Sequence, residues 1–214
     1  MSYTPAQIAD ALDFAILDPT TTMDAIVDGC AFANKHKFKS VCVAPINVSL
    51  ANSHHHNVST VISYPDGNLD HVSKYQCAIN AIVLGARELD VVVNYGRYLS
   101  GDLEIIQHDL TQLCAYAKSR RVLVKAILET YFYTTRQLID ASRQCVQAGV
   151  DFIKTSTGAV GGATTDAVQT ILDAVGDNVG VKASGGIRTY GDVAKFLDLG
   201  CTRIGSSTFL ELLP

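Results

Sequence analysis

Apolar residues along this chain follow two alternating rhythms. Short runs rich in Val and Ile read as strands over 12–17, 40–44, 60–64, 89–94, 122–128, 152–155, 180–183 and 203–205. Between them lie longer stretches with helical spacing. One covers 24–35, with Ala25, Ile26, Cys30 and Ala33 on one face; another covers 69–84, with Val72, Cys77, Ile79 and Ile82. Further helices are predicted over 103–119, 135–148, 165–175, 190–199 and 207–212. A short N-terminal helix over 5–11 precedes the first strand, with Thr4 as N-cap and Pro5 in the first turn.

This alternation predicts an α/β protein, a closed (β/α)8 TIM barrel forming a single domain over residues 1–214. The rival is an open doubly wound sheet, which usually carries a Gly-rich turn after its first strand. Here that strand is followed by Asp18-Pro19-Thr20, and the glycine turns come after the sixth, seventh and eighth strands. Many barrels bind phosphate at the last two of these places.

Composition narrows the function classes. The apolar fraction is 48% and the charged fraction 18%, enough for a large core. A net charge of −4 argues against nucleic acid or an anionic membrane surface as partner. No apolar run approaches the roughly 18–20 residues of a membrane span. Asp10, Asp13, Asp18, Asp24 and Asp28 all precede the first basic residue, Lys35, a pattern unlike secretory or transit signals. The six cysteines are scattered, without a zinc or disulfide spacing. A cytoplasmic location is expected.

The chemistry enters through charges that interrupt the strands. Strands buried on both faces should be continuously apolar. Yet Lys125, Lys154 and Lys182 each sit within a β-branched run, Asp90 lies near the start of another, and Asp13 lies inside the first. One such charge could snorkel to solvent. Five on one barrel predict an internal cluster, because a lone buried charge is costly. If Lys154 and Lys182 point inward from neighbouring strands, their backbones are about 5 Å apart. Their mutual repulsion would then favour the free amine on one of them, the form that attacks a carbonyl. Asp90 is placed to move protons. Gly185-Gly186-Ile187-Arg188-Thr189 and Gly205-Ser206-Ser207-Thr208 offer backbone N–H groups and hydroxyls to a phosphate, although each alone could be an ordinary capped turn.

Two segments resemble the signatures of the deoxyribose-phosphate aldolase family. They are Phe152-Ile153-Lys154-Thr155-Ser156-Thr157-Gly158 and Val181-Lys182-Ala183-Ser184-Gly185-Gly186-Ile187-Arg188-Thr189. The likeness extends over most of the chain, including Ser40-Val41-Cys42-Val43, Glu88-Leu89-Asp90-Val91-Val92 and Thr202-Arg203-Ile204-Gly205. It implies a class I aldolase that needs no metal and no cofactor. Such an enzyme reversibly cleaves 2-deoxy-D-ribose 5-phosphate to D-glyceraldehyde 3-phosphate and acetaldehyde. By the same likeness Lys154 forms the Schiff base, Lys182 is the perturbing second lysine, and Asp90 relays protons. Asp13 and Lys125 support them, while Gly158, Gly185, Gly186, Arg188, Gly205, Ser207 and Thr208 bind the phosphate. A homodimer acting on a small sugar phosphate is expected. The chain departs from many members at Phe14-Ala15, where they carry His-Thr, and at Ala159, where some have lysine. It also ends at Leu213-Pro214 without the tyrosine tail of some members, so proton transfer to the enamine is expected either to be slower or to use another group.

Other features are read as structural. His54-His55-His56 is expected to be a solvated loop rather than a metal site. Cys42 is read as packing, and Tyr131 and Tyr133 as lining the mouth. Two rival functions remain, a non-covalent phosphate-binding isomerase or synthase and a non-catalytic sugar-phosphate sensor. The paired lysines favour neither.

Overall fold

The computed structural model describes residues 2–208. Helix α1 (Pro5–Ala11) starts with a reciprocal cap, in which the Gln7 amide donates to Thr4 Oγ1 at 3.3 Å and the Thr4 amide donates to Gln7 Oε1 at 2.9 Å. The chain then passes directly into β1 (Leu12–Ile16) and α2 (Met23–His36). There follow β2 (Ser40–Val43), α3 (Val48–Asn52), β3 (Val58–Ile62), α4 (His71–Val83), β4 (Glu88–Val92), α5 (Tyr95–Leu99) and α6 (Ile105–Ser119). The second half comprises β5 (Leu123–Ile127), α7 (Thr135–Ala148), β6 (Phe152–Lys154), α8 (Thr165–Val175), β7 (Gly180–Ser184), α9 (Tyr190–Leu199) and β8 (Arg203–Ser206).

Each strand pairs in parallel with the next, and β8 closes onto β1, giving the expected TIM barrel. Helices α1, α7, α8 and α9 span the residues that the apolar spacing predicts. The strands agree to within two residues, with β3 starting earlier than expected. Helices α3 and α5 are additions of five residues each, too short to show a helical period. Most of the helix expected over 207–212 lies outside the described residues. Among the described residues no helix is long and apolar enough to cross a membrane.

Alternation along the strands builds two different interiors. Side chains such as Leu89, Val124, Ala126 and Ile153 join the apolar layer beneath the helices. The intervening positions on β4 and β5 carry Asp90 and Lys125 into the barrel, where both are fully buried. The apolar shell stabilises the fold, at about 1.5–3 kcal/mol per large side chain. The barrel interior holds the charges beside buried apolar residues of the same strand faces, such as Val92 and Ile127.

Candidate active site

Strand register decides which charges meet. Lys154 on β6 lies directly opposite Lys182 on β7, and Asp90 on β4 lies opposite Lys125 on β5. Closure of β8 against β1 sets Asp13 opposite Gly205. All five charges anticipated inside the barrel are there, each 5% exposed or less.

The lysine pair has an element that repulsion alone leaves out. Asp90 Oδ2 lies 2.9 Å from both Lys154 Nζ and Lys182 Nζ. The two nitrogens are therefore bridged by a carboxylate rather than facing each other bare. Lys182 also reaches Asp13 Oδ2 at 2.5 Å. Lys125 contacts Glu88 Oε2 at 2.5 Å, Asp90 Oδ1 at 2.8 Å and Asp13 Oδ2 at 3.3 Å. Arg203 forks between Asp13 Oδ1 and Glu88 Oε1, the latter at 2.7 Å. Four cations thus face three carboxylates in one connected network. Lys154 is distinguished by a single carboxylate contact, against two for Lys182 and three for Lys125.

Burial alone would raise the carboxyl of Asp90, but Lys125, Lys154 and Lys182 outweigh it and hold the group well below the usual carboxylate range. Asp13 and Glu88 are likewise held down, against burial, by Lys125 and its neighbouring cations. Burial would lower Lys125, but Asp13, Asp90 and Glu88 raise it well above its ordinary value. The stability contributed by these carboxylates is present above their ordinary range and is lost as pH falls through the lowered native values.

A cavity of about 630 Å³ opens over this network at the ends where the strands finish. Lys154, Lys182 and Asp13 line it, whereas Asp90 and Lys125 do not and sit behind them. The expected phosphate-binding residues Gly158, Gly185, Gly186, Arg188, Gly205 and Ser207 also line it. Thr208 is not on the cavity wall; its amide donates to Ser206 Oγ at 3.2 Å. Gly205 belongs to β8 rather than to the turn after it. The Arg188 and Thr189 amides donate to Asp192 Oδ2 at 3.2 and 3.1 Å, capping α9, which leaves the Arg188 guanidinium as that residue's group for an anion. Gly185 sits at φ +88°, and a Cβ there would come within 2.9 Å of the Gly161 carbonyl oxygen, so glycine is required where the two loops touch.

A Cβ on Gly205 would lie 2.8 Å from Ser184 Cβ and 3.1 Å from Lys182 Cε. Gly205→Ala is therefore expected to cost about 1–3 kcal/mol of stability by overpacking and to displace the Lys182 stem. Urea melts with a parallel activity assay would check both effects.

Other expectations fare unevenly. Tyr131 is exposed at 69%, whereas the Tyr133 hydroxyl is buried and has no hydrogen-bond partner among the described residues. Cys42 lines the cavity at 1% exposure, and burial, helped by Asp90, pushes its thiol up, away from the reactive thiolate. The reading of His54-His55-His56 as a solvated loop fails at His55, which is 3% exposed and stacked on His56 with ring centroids 4.7 Å apart. Its polar neighbours hid a packing role set by the return of the chain into β3. Sequence reasoning also missed Glu88 and Arg203 as members of the network, and Tyr64, whose ring lines the cavity.

The sequence pattern of the DeoC/LacD family aldolases matches residues 7–206. The chain is 38% identical over 211 residues to the deoxyribose-phosphate aldolase of Bacillus mycoides (strain KBAB4), covering 96% of this chain and 94% of that one. The deoxyribose-phosphate aldolase of Bacillus cereus (strain AH820) matches to the same extent. Among solved structures, the deoxyribose phosphate aldolase of Aeropyrum pernix, described as a tetramer, superposes with a TM-score of 0.90 at 28% identity, covering 98% of this chain and 90% of that one.

Proposed function

The chain belongs to the DeoC/LacD family aldolases, and from that membership we propose that it cleaves 2-deoxy-D-ribose 5-phosphate reversibly through a Schiff base on Lys154. The observation that carries this reading is the position of Lys154, on the cavity wall with one carboxylate contact, sharing Asp90 Oδ2 with Lys182. The network holds one more cation than carboxylates, so loss of a single proton balances it. Lys154 has the fewest carboxylate contacts of the three lysines and access to the cavity, which suits it to meet an incoming carbonyl.

The chemistry then follows in balanced steps. The free Lys154 amine adds to the aldehyde carbon of the open-chain sugar, and the carbinolamine loses water to give an iminium ion. A proton leaves the hydroxyl on the third carbon, and the bond between the second and third carbons breaks. Its electrons flow into the iminium, which becomes an enamine, while glyceraldehyde 3-phosphate departs. Protonation of the enamine carbon and hydrolysis release acetaldehyde and restore the amine.

Asp90 is a poor base while three lysines hold its carboxyl down. Once Lys154 is neutral in the carbinolamine, one of those cations is gone, and Asp90 can pass protons between the intermediate and Lys182. Asp13 and Lys125 fix the positions of Lys182 and Asp90. Phosphate contacts from Gly158, Gly185, Gly186, Gly205, Ser207 and the Arg188 side chain would hold the sugar so that its reacting carbons meet Lys154. We place this activity in the cytoplasm, on a single domain assembled as a homodimer.

The test is borohydride reduction in the presence of substrate, with EDTA included and glyceraldehyde 3-phosphate release followed in a coupled assay. A stable mass increment on Lys154 together with EDTA-resistant release is the expected result. Release without any lysine adduct would overturn the covalent route, and no release would overturn the substrate.

A further inference from the structure

The opposite end of the barrel, where the strands begin, holds a second cavity of about 760 Å³. It is lined by residues that lead into β2, β3, β4, β5 and β8, and no step of the aldol chemistry uses it. Its lining is basic although the chain as a whole carries −4. Lys37, Lys39, Arg87, Arg121 and Arg203 face only two carboxylates, Asp10 and Glu88. Both carboxylates are already engaged. Asp10 pairs with Lys39 at 3.1 Å, and Glu88 is taken by Arg203, by Lys125 and by Asn57 Nδ2 at 2.8 Å. Among the described residues, Lys37, Arg87 and Arg121 therefore stand around one cavity without a carboxylate partner.

A second observation in the same cavity is independent of those surface charges. The buried His55 ring lines it, and His55 Nε2 has no hydrogen-bond partner. Its other nitrogen, Nδ1, lies 3.1 Å from the Asn57 amide nitrogen and 3.0 Å from the Asn57 carbonyl oxygen, so Asn57 can serve it in either tautomer. Burial and the neighbouring His56 disfavour the imidazolium, so the ring carries one proton, and an anion at Nε2 would select the tautomer that holds it there. A buried ring nitrogen without a partner costs free energy that a ligand hydrogen-bonded to it would recover.

We propose that this cavity is a binding site for a multivalent phosphate, the diphosphate group of a small molecule. Arg87, Arg121, Lys37 and His55 line a volume within the range of small-molecule pockets. Guanidinium matches phosphate oxygens in pairs, and a doubly charged or triply charged group can use all three free cations at once. The site is separate from the catalytic cavity, and the inference does not rest on the aldolase reading. Its inner wall is nevertheless continuous with the network, because Glu88 and Arg203 line the cavity while contacting Lys125 and Asp13.

The backbone supplies a clean test. Lys37 and Arg121 adopt φ +60° and +58°, a region that glycine occupies without strain. Lys37→Gly with Arg121→Gly therefore removes two of the three free cations without threatening the fold. Inorganic pyrophosphate titrated calorimetrically into the full chain is expected to bind, and the double variant to weaken that binding by about a hundredfold, roughly tenfold for each charge-assisted contact. Pyrophosphate held by the catalytic phosphate contacts is set apart by repeating the titration in Arg188→Ser, where the binding that the double variant weakens is expected to persist. The proposal is overturned if pyrophosphate does not bind, if the double variant binds as the parent does, or if Arg188→Ser alone removes the binding.

Discussion

Replacing Lys154 with alanine should lower turnover by about 10⁴-fold or more, because in the proposed mechanism it removes the nucleophile on which every later step depends. Borohydride in the presence of substrate should then leave no adduct. The same change should barely alter the melting temperature. Lys154 makes one ion pair, and the network it leaves holds three cations and three carboxylates. Lys125→Ala is the contrasting case. It strips a cation from Asp13, Glu88 and Asp90 together, all buried, and losing one partner of a buried pair typically costs about 3–5 kcal/mol. A thermal melt beside the activity assay separates the two. If Lys154→Ala keeps near-parental turnover, the covalent assignment fails; if it unfolds the protein, the charge argument fails.

The second large effect is expected at Lys182. Lys182→Met keeps the length of the stem but removes the charge that faces both Asp13 and Asp90. The catalytic rate should fall by about 10²–10⁴-fold, the usual worth of a positioned proton-transfer group. KM should change far less, because the phosphate contacts remain. The adduct on Lys154 should still form, more slowly, when borohydride is present. A variant with normal kcat and raised KM would instead make Lys182 a substrate-binding residue.

Much of this was legible in the sequence because a parallel strand has no ordinary use for an inward lysine. Lys125, Lys154 and Lys182 announced themselves by interrupting β-branched runs, and regular alternation was enough to place Lys154 beside Lys182. The remainder was hidden for identifiable reasons. Glu88 and Arg203 are the first residues of their strands, where a charge ordinarily reads as solvated. Only closure of β8 against β1 brings Arg203 to Asp13, a contact across 190 positions that local pattern does not report. The carboxylate between the two lysines was missed as a bridge because register fixes which strands adjoin, whereas side-chain reach across the barrel lumen depends on its diameter. His55 was misjudged because its neighbours are polar and its burial is imposed by tertiary packing.

The barrel lumen has one further implication, for how such a sequence can drift. Its seven ionic side chains are so interlinked that a neutral replacement at Glu88 would take a carboxylate from Arg203 and Lys125 at once, leaving both to lean on Asp13. Paths between viable sequences should therefore run through simultaneous exchanges that keep the tally of opposite signs, such as Glu88 and Arg203 changing as a couple. Lineages would keep or shed these positions in pairs, even though in the proposed mechanism only Lys154 is joined covalently to the substrate.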